Sequence, residues 1–212
     1  MKKSEQKKDP LIAEHKFFRL SCVVLRIVMC WLLPYKITGK ENIPAGPAVI
    51  CINHTSIWDP LYMMIALPKK EFPSPKILAK AVLFSVPVIG SILRGLGSIY
   101  VARDGADIKA VSASIKHLKA GGKLIIFPEG TRGDGAAAQE SKVGAVKIAA
   151  KVGAPILPVY IPKSKGFFKR CRMIIGKTVP AMPQGADKPG NDDYLRRADE
   201  IMAGIYELGA AG

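Results

Sequence analysis

The chain has 212 residues, of which 49% are hydrophobic, and its 32 Lys and Arg against 17 Asp and Glu give a net charge of +15. This length argues against two domains and allows one domain with a sizeable core and an appended N-terminal segment. The charge predicts anionic partners, namely nucleic acid, acidic lipid or phosphorylated metabolites, and the four cysteines form no CxxC pair, which favours a reduced compartment over a disulfide framework.

Residues 1–36 are predicted to be a basic arm followed by a membrane helix. Residues 17–33 are apolar except for Arg19, Ser21 and Arg26. An Arg near the middle of so short a run costs about 2.5–3.5 kcal/mol on insertion, so a spanning helix is disfavoured. Arg19 and Arg26 share one side of a helix, which favours an amphipathic helix in the interface with both arginines at anionic headgroups. A soluble core helix and an uncleaved signal-like anchor are the alternatives.

Residues 37–212 predict one α/β domain, because apolar β-branched runs alternate with amphipathic stretches. His117 is expected at the surface near a helix C-terminus, and Asn191 is expected to cap the last helix. Strands are expected at residues 48–52, 76–82, 98–102, 123–127, 155–161 and 173–179, and helices at 61–67, 84–93, 107–119, 142–152 and from 191 onward.

A polar stretch follows the first of these strands and carries His54 and Asp59. Five residues separate the two, which puts them on opposite faces of a strand and roughly 140° apart on a helix. They can meet only across a strand–turn–helix junction. Thr55 and Ser56 are candidate N-cap residues, and Ser56 and Asp59 stand at capping-box spacing. The pattern therefore predicts that helix 61–67 begins just after this turn.

His54 and Asp59 together suit general-base catalysis. A carboxylate on Nδ1 fixes the imidazole tautomer and stabilises the imidazolium that forms when Nε2 takes a proton. The alternative is a turn histidine beside a helix-capping aspartate. A metal site is less favoured, since only His15 and His117 remain as histidines and neither lies in a ligand motif.

A second polar loop, residues 128–135, follows the predicted strand 123–127. In α/β proteins, loops at the carboxyl ends of strands hold ligands. Gly130 permits the backbone conformation of an anion nest, and Arg132 offers a bidentate fork for phosphate. The loop lacks the GK[ST] of a Walker A motif. The alternative is a tight turn with a surface Arg–Glu pair.

Basic residues also surround Phe167 and Phe168, within residues 163–172. Aromatic side chains between cations are typical of a nucleic-acid surface, and a hairpin tip with two Phe equally suits insertion into a membrane. The residues alone leave both interpretations open.

Four motifs in one order resemble those of the glycerophospholipid acyltransferases. Residues 53–59 resemble the NHxxxxD motif, residues 97–103 the GxxFIxR motif, residues 127–132 match FPEGTR, and residues 157–161 resemble VPVxI. The resemblance spans roughly residues 43–179, and it is strongest to the bacterial 1-acylglycerol-3-phosphate (lysophosphatidate) acyltransferases. It implies a single α/β domain with a mixed, mostly parallel sheet flanked by helices.

The resemblance also implies site residues. His54 would be the base that deprotonates the acceptor hydroxyl, with Asp59 as its partner, and Arg132 with Arg103 and Lys80 would hold the acceptor phosphate. No GxSxG motif supplies a serine nucleophile, which fits direct transfer from a thioester. The substrate-binding residues implied in this way are Asn53, Lys80, Arg103, Glu129, Gly130, Thr131 and Arg132.

The implied reaction transfers a fatty acyl group from acyl-CoA or acyl carrier protein to the sn-2 hydroxyl of lysophosphatidate, giving phosphatidate. We expect no cofactor and no metal, an anionic phospholipid membrane as a partner rather than nucleic acid, and a peripheral or monotopic position at the cytoplasmic face of the inner membrane. The alternatives are the same chemistry on another lyso-lipid such as a lyso-ornithine lipid, a non-catalytic basic membrane- or nucleic-acid-binding protein, and a metal-dependent hydrolase.

Overall fold

A mixed sheet runs through the centre of the protein. The computed structural model describes residues 10–32, 34–56, 59–102, 107–129, 139–163, 170–182 and 189–211, and within these ranges the sheet has seven strands in the order β1-β7-β6-β2-β5-β3-β4. The strands are β1 (Tyr35–Thr38), β2 (Ala48–Ile52), β3 (Lys76–Lys80), β4 (Ile99–Val101), β5 (Lys123–Ile126), β6 (Ile156–Tyr160) and β7 (Cys171–Ile175).

Most neighbouring strands are parallel. Strand β2 pairs in parallel with both β5 and β6, and β3 pairs in parallel with β5 and β4. Strand β7 is antiparallel to β6 and carries β1 as its parallel neighbour. The predicted mostly parallel α/β sheet is therefore confirmed, and the carboxyl ends of β2 to β6 meet at one edge of the sheet, where α/β folds place their sites.

Helices cover both faces of the sheet. The helices are α1 (Pro10–Leu32), α2 (Asp59–Ala66), α3 (Ala81–Phe84), α4 (Pro87–Gly95), α5 (Ile108–Lys119), α6 (Gln139–Val152) and α7 (Asn191–Ala210), with a 3-10 turn at Lys40–Asn42. Strand β2 is buried along its whole length; Ile50 packs with α1, α2 and α4, whereas Val49 packs with α5, α6 and α7. A strand that is buried on both faces needs apolar residues throughout, and this explains the uninterrupted apolar sequence of β2.

Several predicted boundaries were wrong. The strand expected at residues 76–82 ends at Lys80, because the chain turns at once into α3. The helix expected at residues 84–93 is two helices, since α4 begins at Pro87, a residue suited to a first turn. The strand expected at residues 173–179 is shifted to Cys171–Ile175, where it pairs with β1 and β6, while Val179 makes only an isolated bridge to Ile156.

Asn191 does not cap the last helix. Helix α7 begins at Asn191 and Gly190 precedes it, with the backbone N–H of Gly190 donating to Oδ2 of Asp193 at 2.9 Å. The Asn191 side chain instead accepts a hydrogen bond from Nζ of Lys147 at 2.9 Å. The carboxylate at the third position therefore does the capping, and Asn191 ties α7 to α6.

The N-terminal helix α1 packs on the domain rather than standing apart. Phe18 and Cys22 are buried in the core, and Nη2 of Arg26 donates to the carbonyl of Ile65 at 2.9 Å. The prediction that Arg26 reaches lipid headgroups is therefore wrong, whereas Arg19 is exposed. None of the helices in the described ranges combines the length and apolar character needed to cross a membrane.

His117 is buried, contrary to the predicted surface position. Only 6% of the residue is exposed, and Nε2 lies 3.1 Å from the carbonyl oxygen of Lys123. The helix turns back at Gly121 and Gly122 into β5, so the imidazole is folded under the turn. Burial, reinforced by the charge of Lys76, lowers the pKa of His117 to about 4.

Lys123 itself is fully buried at the start of β5 and forms an ion pair with Glu71 from the segment between α2 and β3. The basic stretch around Phe167 and Phe168 lies outside the described residues.

Candidate active site

The site forms where β2 passes into α2. The last residues of β2 are buried, and Asn53, the next residue, is also buried. Its Nδ2 donates to the carbonyl of Ile161 at 2.8 Å, and its Oδ1 accepts from the Ile161 N–H at 2.7 Å. These two bonds fasten the chain just before His54 to the end of β6. The expectation that Asn53 binds substrate is therefore corrected, because its amide is occupied by backbone and closed to solvent.

The carboxylate of Asp59 organises the turn. Oδ2 accepts from the backbone N–H of Thr55 at 2.8 Å and of Ser56 at 2.7 Å, and Nδ1 of His54 lies 3.1 Å away. Asp59 is completely buried and is the first residue of α2, so the helix N-terminus also favours its negative charge. The capping-box spacing correctly indicated that this carboxylate reaches back to Ser56, although the helix begins earlier than expected.

These contacts fix the state of His54. Because an ionised carboxylate only accepts hydrogen bonds, the proton between the two side chains belongs on Nδ1, which leaves Nε2 as the basic nitrogen. The ring lies against Phe127, with centroids 4.4 Å apart and planes inclined by 38°. The His54 side chain is 19% exposed, so a reactant can approach it. This arrangement suits general-base chemistry, with the carboxylate orienting the imidazole.

Glu129 lies beside His54 across the sheet. Strands β2 and β5 pair with Cys51 opposite Ile126, and the same register brings His54 level with Glu129. The backbone N–H of His54 donates to Oε2 of Glu129 at 3.2 Å. The hydroxyl of Tyr206, from α7, donates to Oε1 of the same carboxylate. Neither Phe127 nor Tyr206 is among the site residues expected from the sequence.

Lys80 is the last residue of β3 and is exposed. Strand β5 separates β3 from β2, so the Lys80 backbone stands two strand spacings, roughly 10 Å, from the His54 junction. A lysine side chain at that edge faces the same end of the sheet as His54 and Glu129. The other expected anion-binding residues, Arg103, Gly130, Thr131 and Arg132, lie outside the described residues.

Cys51 is the nearest thiol in sequence to His54, but it is not a nucleophile. It is buried in the middle of the sheet, and burial raises its pKa to about 12. The thiol therefore stays neutral, and the thiolate is the reactive form. The chemistry that the described site supports is proton removal from a bound hydroxyl by Nε2 of His54.

Comparison with known proteins finds a family of acyltransferases. The family model described as "Acyltransferase" matches residues 34–162. A 1-acyl-sn-glycerol-3-phosphate acyltransferase of Borreliella burgdorferi is 37% identical over 71% of this chain and 62% of its own length. One of Bacillus subtilis is 30% identical over 90% of this chain and 96% of its own.

A solved structure is similar in fold. The 1-acyl-sn-glycerophosphate acyltransferase PlsC of Thermotoga maritima aligns with 97% of this chain and 85% of its own, with a TM-score of 0.69 and 24% sequence identity. The chain spans less than two thirds of several curated relatives, including 62% of the Borreliella burgdorferi protein and 41% of a chloroplastic one from Arabidopsis thaliana. With the family model matching more than half of its length, this chain belongs to the acyltransferase family.

Proposed function

We propose that this protein transfers a fatty acyl group from acyl-CoA or acyl carrier protein to the sn-2 hydroxyl of 1-acylglycerol-3-phosphate, which gives phosphatidate. The observation that carries the proposal is the contact of 3.1 Å between Nδ1 of His54 and Oδ2 of Asp59. Membership of the acyltransferase family and the names of the similar curated proteins support the choice of reaction and acceptor.

In the proposed reaction, Nε2 of His54 takes the proton of the acceptor hydroxyl as its oxygen attacks the thioester carbonyl. The new C–O ester bond forms and the C–S bond breaks, and the thiolate leaves with the proton that the imidazolium returns. Asp59 stays ionised and stabilises the imidazolium through Nδ1. A base in this position contributes roughly 10²–10⁴ in rate.

The acceptor phosphate is proposed to bind at the carboxyl edge of the sheet. Lys80 stands at this edge, and the family resemblance adds Arg103, Thr131 and Arg132, with Glu129 and Gly130 shaping the loop. A cation fork would hold the phosphate while the free hydroxyl reaches Nε2 of His54. Replacing Arg132 should therefore mainly raise the KM for the acceptor.

We also propose that α1 holds the protein at an anionic membrane surface, at the cytoplasmic face. The side of α1 opposite Phe18 and Cys22 is exposed and apolar, with Leu20, Ile27 and Trp31 among its largest exposed side chains. An apolar helix face flanked by basic residues suits an interface where both substrates are amphipathic.

The test is free-thiol release from acyl-CoA, measured with and without lysophosphatidate, with phosphatidate identified by mass spectrometry. We expect release that depends on the acceptor, and we expect His54→Ala to abolish it while leaving the melting temperature nearly unchanged. His117→Gln is the matched control, since His117 in α5 contacts the first residue of β5, at the end of the strand far from His54. Full activity in the His54→Ala protein, or release that ignores the acceptor, would remove the proposal.

A further inference from the structure

The Glu129 carboxylate is held from two sides by donors that come from distant parts of the chain. Oε2 accepts from the backbone N–H of His54 at 3.2 Å, and Oε1 accepts from the hydroxyl of Tyr206. A hydrogen bond to an ionised group is roughly twice as strong as one between neutral groups. The carboxylate therefore links the backbone of the base to the C-terminal helix.

Tyr206 is itself held in place by the packing of α7 against β6. Its ring meets that of Tyr160, the last residue of β6, with centroids 6.5 Å apart and planes inclined by 67°. A Cβ at Gly209 would overlap the Tyr160 ring, so the glycine lets α7 approach the strand closely at this point. This packing places the phenol at the carboxyl edge of the sheet, with 49% of Tyr206 exposed.

The same strand end also supports the other side of His54. Ile161 follows Tyr160 and makes both hydrogen bonds to the Asn53 side chain. Helix α7 thus reaches the His54 backbone by two routes, one through Tyr160 and Asn53 and one through Tyr206 and Glu129. Only the second route uses a side-chain hydroxyl on α7, so one oxygen atom can be removed to test it.

We infer that Tyr206 is a positioning residue for the reaction: its hydroxyl keeps Glu129 on the His54 backbone N–H and so holds the imidazole where it can act as a base. In this role Tyr206 acts on His54 through the Glu129 carboxylate. This inference rests on the proposed role of His54.

The test compares Tyr206→Phe with Tyr194→Phe, which removes a hydroxyl near the start of the same helix. We expect Tyr206→Phe to lower kcat about tenfold, equivalent to about 1.4 kcal/mol, with the KM for lysophosphatidate changed less than twofold. Tyr194→Phe should leave both constants near those of the parent protein. Melting temperatures should be similar in the two variants, because neither tyrosine is buried.

A double-mutant cycle separates positioning from general support of the fold. In a Glu129→Ala background, Tyr206→Phe should cause less than a twofold further loss of kcat, because the acceptor of its hydroxyl is already gone. An equal tenfold loss in that background would overturn the inference, since Tyr206 would then act by another route. Unchanged kcat in the single variant would overturn it as well.

Hydrogen exchange gives a readout that does not depend on the reaction. The backbone amide of His54 should exchange about tenfold faster in Tyr206→Phe than in Tyr194→Phe, because its acceptor is less firmly held. Equal exchange in both variants would overturn the inference even if the enzyme is active. Faster exchange in a protein that shows no thioester consumption would leave the contact correct and the proposed reaction wrong.

Discussion

Nδ1 of His54 lies 3.1 Å from Oδ2 of Asp59, although His54 follows the end of β2 and Asp59 begins α2. The contact exists because the turn between β2 and α2 wraps around the carboxylate, which also accepts from the N–H groups of Thr55 and Ser56. The same oxygen therefore shapes the turn and orients the imidazole. Removing its charge while keeping its shape separates these two roles.

Asp59→Asn should fold but turn over slowly. An amide oxygen in the place of Oδ2 can still accept from Thr55, Ser56 and Nδ1 of His54, but a neutral amide cannot stabilise the imidazolium as a carboxylate does. We expect kcat to fall about a hundredfold or more, with the KM for the acceptor little changed. Steady-state kinetics and a thermal melt measure both quantities. Asp193→Asn is the control, since it neutralises another carboxylate that accepts a backbone N–H at a helix start.

If Asp59→Asn kept more than about a third of the parent kcat, the carboxylate would be only a helix cap, which is the alternative that the sequence left open. An unfolded Asp59→Asn protein would be distinguished by its melt. In that case Asp59→Glu, which keeps the charge but displaces it, should remain far less active than the parent and be better folded than the amide.

The sequence was most informative where one pattern sufficed. The bounds of β2 were predicted correctly because its five residues are all apolar, which is the pattern of a strand covered on both faces. The approach of His54 and Asp59 was predicted because the turn chemistry between them excludes a continuous strand or helix. In both cases the determining interactions are local in sequence.

The errors arose where burial depends on distant elements. Helical periodicity shows that Arg19 and Arg26 lie near one side of α1, but it cannot show that the carbonyl of Ile65 is within reach of Arg26. His117 is polar, which suggests a surface position, but its burial is compensated by a hydrogen bond to the Lys123 carbonyl. The contact of Tyr206 with Glu129 crosses the fold and leaves no pattern in the sequence.

Removing one member of the buried Lys123–Glu71 pair should destabilise the protein strongly, whereas replacing both members by apolar residues should destabilise it little. The Lys123 side chain is fully buried and that of Glu71 is 9% exposed, so removing either charge leaves the other without its partner in a poorly solvated place. Glu71→Ala should lower the free energy of unfolding by about 3–5 kcal/mol. Urea denaturation measures this loss.

The double variant Lys123→Met with Glu71→Leu should recover most of that stability, because neither charge then has to be desolvated. A double variant as unstable as Glu71→Ala would show that packing, rather than the unpaired charge, accounts for the loss.

His117 should make the protein less stable in mild acid. Its pKa in the folded protein is lowered from 6.5 to about 4, mainly by burial. Above about pH 6.5 the imidazole is neutral in both states and contributes no pH dependence. Between about pH 6.5 and 4 the unfolded chain takes up a proton that the folded one does not, so stability falls by about 1.4 kcal/mol per pH unit, or about 3 kcal/mol in all.

Denaturation at several pH values for the parent and for His117→Gln checks this contribution. Glutamine can still donate to the Lys123 carbonyl but does not titrate, so the difference in unfolding free energy between the two proteins should shift in favour of the variant as the pH falls from 6.5 to 4. A constant difference across this range would show that His117 takes up its proton equally in both states.

Replacing Arg26 should mainly lower the stability of the protein, whereas replacing Arg19 should mainly weaken its binding to anionic vesicles. Arg26 donates to the last turn of α2, whose first residue is Asp59, whereas Arg19 is exposed. Arg26→Ala should lower the free energy of unfolding by about 1.5–3 kcal/mol, because a charge-assisted bond to a helix carbonyl is lost. Arg19→Ala should change it by less than about 0.5 kcal/mol.

Binding to vesicles that contain anionic lipid should show the reverse order, with Arg19→Ala weakened by about 1 kcal/mol, the usual contribution of one basic residue near such a surface. Sedimentation with vesicles of graded anionic content measures this term, and neutral vesicles are the control. Equal losses of vesicle binding in the two variants would mean that Arg26 leaves Ile65 at the membrane, and α1 would then dock differently on lipid.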